Sequence, residues 1–202
     1  MPRAVDHAQR RTELAEATWR VIQRQGIEGA SVREVAREAG LSMGSLRYFF
    51  DSQDGLLRFA MQEVMRRVRA RFDTGAIRRD AAIRRGKAFD VVIAMLEQVM
   101  PFDDDRLAEA QVWQAFAPRA LIDPQMRDMR RDADDEVREL CRQCLLILRG
   151  LGLMDPARSV AGETERLWAL VDGLTLHMLT EHTSRRTARQ ALRRHVAELG
   201  RS

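Results

Sequence analysis

The chain has 202 residues and a mass of 23.2 kDa, enough for one large or two small domains with a genuine core. Its composition, 45% apolar and 32% charged, excludes a disordered chain, and the lack of an 18-residue apolar run excludes a membrane span. The net charge of +4 lies within residues 1–72, which hold 13 Arg and nine acidic residues. A basic segment joined to a neutral remainder is typical of a nucleic-acid-binding domain with a second domain attached, although an uneven solvated surface would look the same.

The N-terminal third contains four predicted helices. Helical spacing of apolar residues predicts the first over residues 8–25, ending at Gly26. Ser31 and Glu34 form a capping box that opens the second, and Gly40 ends it. Ser42 caps the third, residues 43–49, and a longer helix follows over residues 52–72.

The remainder also shows helical spacing and no convincing period of two. One tract runs from Phe89 to Met100, and acidic residues from Asp103 onward favour the start of the next. Asp123 and Asp155 each precede a proline, which predicts helices from about 124 to 149 and from about 156 to 182. Ser184 caps the last helix, so the expected fold is all-α, with about nine helices and no sheet.

Two short helices joined by Gly40-Leu41-Ser42 predict a helix-turn-helix. The second of them places Leu46, Phe49 and Phe50 on one side, and polar or small residues on the other, as a helix that enters the major groove requires. Arg47 has the fork geometry that suits guanine or a phosphate. An ordinary helical hairpin with an exposed polar side would show the same pattern.

The run "ASVREVAREAGLSMGSLRYFFDSQDGLL", residues 30–57, resembles the DNA-binding signature of the TetR family of bacterial transcriptional regulators, and "RRTELAEATWRVIQRQG" resembles the first helix of that family. Two residues depart from the pattern: Arg47 stands where tyrosine is frequent, and Gln53 where lysine is frequent. The resemblance implies a DNA-binding domain over residues 1–51 and an effector-binding and dimerisation domain over residues 52–202, with the helix 52–72 as connector. The predicted DNA-binding residues are Ser31, Arg33, Ser42, Met43, Gly44, Ser45, Arg47, Tyr48 and Gln53.

The C-terminal part is loosely similar to the branch of the family related to the choline-responsive BetI repressor, through "AEAQVWQAFAPRAL" and "LWALVDGLTLHML". The resemblance implies a homodimer formed by the last two helices and a ligand pocket among the C-terminal helices, without indicating the effector. The predicted interface residues are Leu167, Leu170, Val171, Leu174, Met178, Ala188, Leu192 and Val196. The alternative is that these residues pack on the core of their own chain, although Trp168, Leu176 and Leu179 lie off this stripe.

The candidate ligand-binding residues are the adaptable or aromatic side chains of the C-terminal helices. Side chains of these types are more often plain core residues than ligand contacts, and none of them carries a fixed charge that predicts the charge of a ligand. The set comprises Met95, Phe102, Trp113, Phe116, Met129, Trp168 and His177.

No motif predicts catalysis, and no cofactor or metal is expected. Cys141 and Cys144 lie three residues apart, but a metal site would need two further ligands, so packing is the favoured role. Without a secretory signal, the cytoplasm is the expected location. The resemblance to the TetR family implies a repressor that a small molecule releases from a palindromic operator. The alternatives are a small-molecule-binding helical protein without DNA binding and a constitutive DNA-binding dimer without an effector.

Overall fold

The computed structural model describes the backbone of residues 3–72 and 87–200, and the side chains of residues 10–72 and 87–200. The all-helical prediction is confirmed. The helices are α1 Arg3–Gly29, α2 Val32–Glu38, α3 Met43–Phe49, α4 Gln53–Arg71, α5 Ala88–Leu96, α6 Asp104–Ala115, α7 Ala117–Ile122, α8 Pro124–Gly150, α9 Val160–Leu179 and α10 Arg185–Glu198, with a short 3-10 turn at Glu97–Val99. Within the described ranges, no helix combines the length and the apolar character that crossing a membrane requires.

The backbone of Gly26 is not helical (φ 71°, ψ 178°), so the regular helix breaks where the sequence predicted its end, and a short turn to Gly29 completes α1. Two other predicted boundaries differ from the structure. The helix expected from Asp103 onward is divided at Phe116, because Pro118 in the first turn of α7 has no N–H to donate. Asp155 does not open α9: its carboxylate accepts from the N–H of Ala157 (2.9 Å), and Ser159 caps the helix instead.

Packing divides the chain into two compact units. The first comprises Met1–Arg67 and Gln111–Asp128, and the second comprises Val68–Ala110 and Met129–Ser202. This division groups a segment from the C-terminal half with the N-terminal helices. The predicted functional boundary between residues 51 and 52 is a different division, and it stays a prediction.

In the first unit, α1 is fastened to α2 and α4. The indole N–H of Trp19 donates to the carbonyl of Ala60 on α4 (3.1 Å), and Arg67 lies over the Trp19 ring at 4.5 Å. Arg20 and Arg24 of α1 both pair with Glu38 at the end of α2. These two hydrogen-bonded cations lower the pKa of Glu38 to about 2. The α1–α2 junction is therefore held by charge as well as by apolar packing.

The second unit has one apolar core, to which α5, α8, α9 and α10 all contribute. Each helix supplies a stripe of apolar residues at helical spacing, which is why the apolar pattern of the sequence predicted these helices. The main residues are Ala88, Val92, Ile93, Leu96, Cys141, Cys144, Leu145, Leu148, Leu167, Val171, Leu174, Met178, Ala188, Leu192 and Val196.

Candidate nucleic-acid interface

At the start of α2, one of the two hydrogen bonds of the predicted capping box is present. Ser31 has an extended backbone, and its hydroxyl accepts from the N–H of Glu34 (3.2 Å). The Glu34 carboxylate pairs with Arg37 and does not accept the N–H of Ser31. That N–H donates to the carbonyl of Gly29 instead. One satisfied cap is enough to begin this short helix.

The turn between α2 and α3 depends on Gly40. Its φ of +66° lies in the left-handed region, and the next residue, Leu41, donates its N–H to the carbonyl of Ala36 (2.8 Å). A Cβ at Gly40 would have open space around it, so the requirement for glycine comes from the backbone conformation.

Helix α3 is anchored by one fully buried side chain, Leu46. The two phenylalanines predicted on the same side are only half-buried. Phe50 lies 5.0 Å from the ring of Phe59 on α4, whereas Phe49 makes an edge contact with Tyr48 at 5.4 Å. The inner side of α3 is therefore narrower than the sequence suggested.

The outer side of α3 faces solvent. Ser42, Met43, Gly44, Ser45, Arg47 and Tyr48 are all exposed, and Tyr48 is 82% exposed. The hydroxyl of Ser42 accepts from the N–H of Ser45 (3.0 Å) and lies 2.8 Å from the Ser45 hydroxyl. This arrangement fixes the first turn of α3 and leaves the rest of its outer side unobstructed. The DNA contacts of these residues stay a prediction.

Arg33 and Arg47 differ from the other arginines of the first unit whose side chains the structure describes. Both are exposed, and neither has a hydrogen bond or an ion pair to any described residue. Free guanidinium groups on neighbouring helices are available to neutralise phosphates. Between residues 10 and 67, the other arginines all contact protein partners: Arg10, Arg11, Arg20, Arg24, Arg37, Arg58, Arg66 and Arg67.

Gln53, the first residue of α4, does not point freely outward. Its amide nitrogen lies 3.5 Å from the carbonyl of Glu28 at the end of α1, so this side chain bridges two helices. The predicted phosphate contact would require the amide to turn away from Glu28. Ser52 caps α4 by accepting from the N–H of Gly55 (3.1 Å).

Sequence reasoning did not single out Arg10. It lines an open cavity of about 360 Å³ together with Leu41, Ser45, Tyr48 and Phe49. Its guanidinium donates to Glu13 one turn along α1 (3.0 Å). A guanidinium and two hydroxyl groups around one cavity beside α3 suit the sugar-phosphate backbone of DNA. The sequence offered no signal for this residue, since only the fold brings the start of α1 beside α3.

Known proteins resemble the chain over most of its length. Residues 14–60 match the family model "Bacterial regulatory proteins, tetR family", and residues 90–201 match that of the BetI-type transcriptional repressor, C-terminal. The HTH-type transcriptional regulator PksA of Bacillus subtilis is 39% identical over 90% of this chain and 84% of its own length. The chain belongs to the TetR family of bacterial transcriptional regulators.

Two further relatives agree with TetR-family membership. The HTH-type transcriptional regulator BetI of Stenotrophomonas maltophilia is 28% identical over 83% of this chain and 84% of its own length. A crystal structure of a transcriptional regulator from Rhodococcus sp. Rha1 superimposes with a TM-score of 0.72 at 28% identity, covering 94% of this chain and 95% of the other. The N-terminal helix-turn-helix is therefore the DNA-binding domain of a TetR-family regulator.

The candidate ligand residues of this TetR-family chain do not form one group. Trp113 and Phe116 belong to the first unit, whereas the other five belong to the second. Met95 and Phe102 are buried in the second core, and Trp168 packs against it. His177 is exposed near the end of α9, where its ring contacts that of His182 (5.4 Å), so it does not line the interior of its unit. Met129 is half-buried. Their ligand contacts stay a prediction.

The predicted dimer residues are covered by their own chain. Seven of the eight are buried in the core of the second unit, and Leu170 packs against that core while half-buried. This packing is the alternative that the pattern left open, and the contacts of these residues with a partner subunit stay a prediction. The covered residues are Leu167, Val171, Leu174, Met178, Ala188, Leu192 and Val196.

Cys141 and Cys144 are buried in the same core. Burial raises the pKa of Cys141 to about 12 and raises that of Cys144 well above its usual value. Both thiols therefore stay protonated at neutral pH, as packing residues do. Among the residues that the structure describes, no three His, Cys, Asp or Glu side chains group as a metal site would require.

Proposed function

We propose that this protein is a homodimeric repressor that reads a palindromic DNA operator through α3 and is released by a small molecule bound in its C-terminal half. The observation that carries the proposal is the exposed outer side of α3, where Arg47 has no partner among the residues that the structure describes and Tyr48 is almost fully solvated. Each subunit places one α3 in the major groove, about 34 Å or a multiple of that from its counterpart. Its relatives are named as regulators, in line with a binding protein rather than an enzyme.

The dimer forms through the sides of α9 and α10 that face away from the core. On α9, Ala169 and Leu176 are exposed, and a Cβ at Gly173 would meet nothing within 4 Å. These residues have the i, i+4, i+7 spacing of one helix face, and small residues allow two helices to approach closely. Leu176 is 48% exposed, as expected of an apolar residue that a partner covers. This face replaces the buried stripe as the candidate interface.

The effector acts on the second unit, which the BetI-type model matches over residues 90–201. A ligand releases DNA only if it binds the released arrangement of helices more tightly than the DNA-bound one. Helix α4 provides the connection, because residues 53–67 belong to the first unit and residues 68–71 to the second.

Selection of bound DNA from a random pool tests this proposal directly. The full-length protein is expected to enrich a pseudo-palindrome whose half-sites are about one helical turn apart, with affinity that falls steeply as salt rises. Recovery of sequences without any shared half-site would contradict the repressor proposal and favour a small-molecule-binding protein. Enrichment of a palindrome with no stabilising compound in a thermal-shift screen would favour a constitutive DNA-binding dimer.

A further inference from the structure

A segment from the C-terminal half of the chain is built into the first unit. It runs from the end of α6 through α7 to the start of α8. Gln23 of α1 donates its amide to Gln111 (2.8 Å), and Arg58 of α4 donates to Gln125 (2.9 Å). Side chains at both ends of this segment therefore reach α1 and α4, the helices that precede and follow the helix-turn-helix.

Arg119, on α7, makes the third and most central of these links. Its Nη2 donates to Oδ1 of Asp54 at 2.6 Å, and its Nη1 lies 3.9 Å from a carboxylate oxygen of Glu28. Asp54 belongs to the first turn of α4, and Glu28 to the last turn of α1. One guanidinium, only 25% exposed, thus joins the ends of two helices that precede and follow the helix-turn-helix.

The backbone that carries Arg119 is itself well held. Arg127 donates its Nε to the carbonyl of Ala120 (3.1 Å) and its Nη2 to that of Leu121 (2.8 Å). These bonds satisfy carbonyls in the last turn of α7, where a cation is also favoured by the helix dipole. The position of Arg119 is therefore fixed independently of the ion pair.

The location of α4 determines the location of α3, since only Phe50, Asp51 and Ser52 separate the two helices. We propose that Arg119 is a positioning residue for DNA reading: by holding Asp54 and Glu28, it sets the first turn of α4, and through it α3, in the arrangement that fits the operator. The proposal rests on the proposed DNA-binding function. In this arrangement, α7 is the element through which the C-terminal half of the chain acts on α3.

Coulomb's law alone and the positioning role predict opposite effects for one substitution. Asp54→Asn removes a negative charge from the DNA-binding unit, so charge alone predicts tighter binding to DNA. If Asp54 positions α3 through Arg119, the same substitution weakens operator binding. Asp51 provides the matched control, because it is exposed, lies three residues earlier and has no ion pair with any residue of the described ranges.

The experiment measures affinities of full-length variants for the selected operator and for unrelated DNA, together with thermal melting. Asp54→Asn and Arg119→Gln are each expected to weaken operator binding about tenfold, and the double variant to lose no more than either single variant, because they break one shared contact. Affinity for unrelated DNA follows the change of charge alone, so it is expected to rise slightly for Asp54→Asn and to fall slightly for Arg119→Gln. Arg119→Lys, which keeps the cation, is expected to restore most of the operator affinity. Asp51→Asn is expected to bind as tightly as the wild type or more tightly.

Two results would overturn the positioning role. One is an Asp54→Asn variant that binds the operator as well as Asp51→Asn does. The other is a loss that is equal for operator and unrelated DNA, since a positioning residue affects only the specific complex. A wild-type protein without preference for any sequence would instead refute the proposed function itself, which separates the two failures.

Discussion

Helices α3 and α10 have the same kind of N-terminal cap but differ in what their side chains contact. Ser42 caps α3 by accepting from the N–H three residues later, and Ser184 caps α10 in the same way (3.1 Å). In both, the capping hydroxyl also contacts the hydroxyl of that third residue, at 2.8 Å to Ser45 and 2.9 Å to Thr187. The local chemistry that starts a helix therefore says nothing about what the helix does.

The difference lies in what their arginines contact. On α10, Arg185, Arg189 and Arg193 pair with Asp104, Glu97 and Asp90, at 2.7, 2.6 and 2.8 Å. These three cations form a ladder along one side of the helix and are neutralised by their own chain. Arg47 of α3 has no such partner among the described residues, which leaves it for an external anion. The two helices therefore differ in whether their cations are paired, which the net charge of a segment does not show.

The largest expected effect concerns the anchor of α3. Leu46→Ala removes its one fully buried side chain and leaves a cavity, which is expected to lower the free energy of unfolding of the first unit by about 2–5 kcal/mol. Urea-induced unfolding measures the loss. Met43→Ala, on the exposed side of the same helix, is the control and is expected to change stability by less than about 0.5 kcal/mol. Equal losses for both variants would show that α3 is not anchored through Leu46.

Arg47→Ala tests the free cation directly. Operator binding is expected to weaken by about 1–3 kcal/mol if Arg47 reads a base, with little change for unrelated DNA. If Arg47 contacts only a phosphate, all sequences weaken alike, and the salt dependence falls by about one unit. The matched control is Arg193→Ala, which removes the same charge from the α10 ladder and is expected to leave operator affinity unchanged. Equal effects of the two variants would contradict the contrast between these helices.

A smaller effect is expected from the ladder itself. Arg189 pairs with Glu97, and its guanidinium lies 4.5 Å from the centre of the Phe102 ring. Because this arginine is partly exposed, Arg189→Gln is expected to lower the free energy of unfolding by only about 0.5–1 kcal/mol at low salt. Thermal unfolding in low and high salt measures the difference, which is expected to shrink as salt screens the pair. A loss that salt does not reduce would assign the contribution to packing on Phe102.

The last prediction concerns pH and His195 on α10. Burial lowers the pKa of His195 below its ordinary value of 6.5, and the Arg158 and Arg166 cations act in the same direction, whereas Glu163 and Glu198 oppose it. The unfolded chain therefore takes up this proton more readily than the folded one. The stability that neutral, buried His195 contributes is fully present above the pKa of this group in the unfolded chain, about 6.5. It is lost as the pH falls through the lower pKa of His195 in the folded protein. Denaturant unfolding between about pH 7.5 and 5 measures it.

His195→Gln provides the comparison for that titration. The variant lacks the group that takes up the proton, so its stability is expected to fall less than that of the wild type over the same pH range. Parallel curves for the two proteins would show that the burial of His195 does not contribute to acid sensitivity.

The sequence predicted local features well because they depend on neighbouring residues. The serine caps at Ser31, Ser42 and Ser184 and the left-handed Gly40 lie where the pattern placed them. The start of α9 was misplaced because two capping signals compete, and only the loop geometry selects Ser159 over Asp155.

Features that depend on distant residues could not be predicted. An apolar stripe such as Leu167, Val171 and Leu174 indicates that a helix face is covered, but not whether the cover is its own chain or a partner. Similarly, no local pattern shows that Arg119 reaches Asp54, 65 residues away along the chain. The exposed outer side of α3 was predictable because it is short and contiguous in sequence, whereas the residues that support α3 lie far apart in the sequence.

Tyr48 can serve as a spectroscopic probe of the outer side of α3. It is the single tyrosine of the chain, and it stands almost fully solvated on α3. Growth with 3-fluorotyrosine would therefore place one fluorine label on the outer side of α3 without any mutation. The resulting one-line ¹⁹F spectrum would report directly whether the helix is engaged, free or released by an added compound.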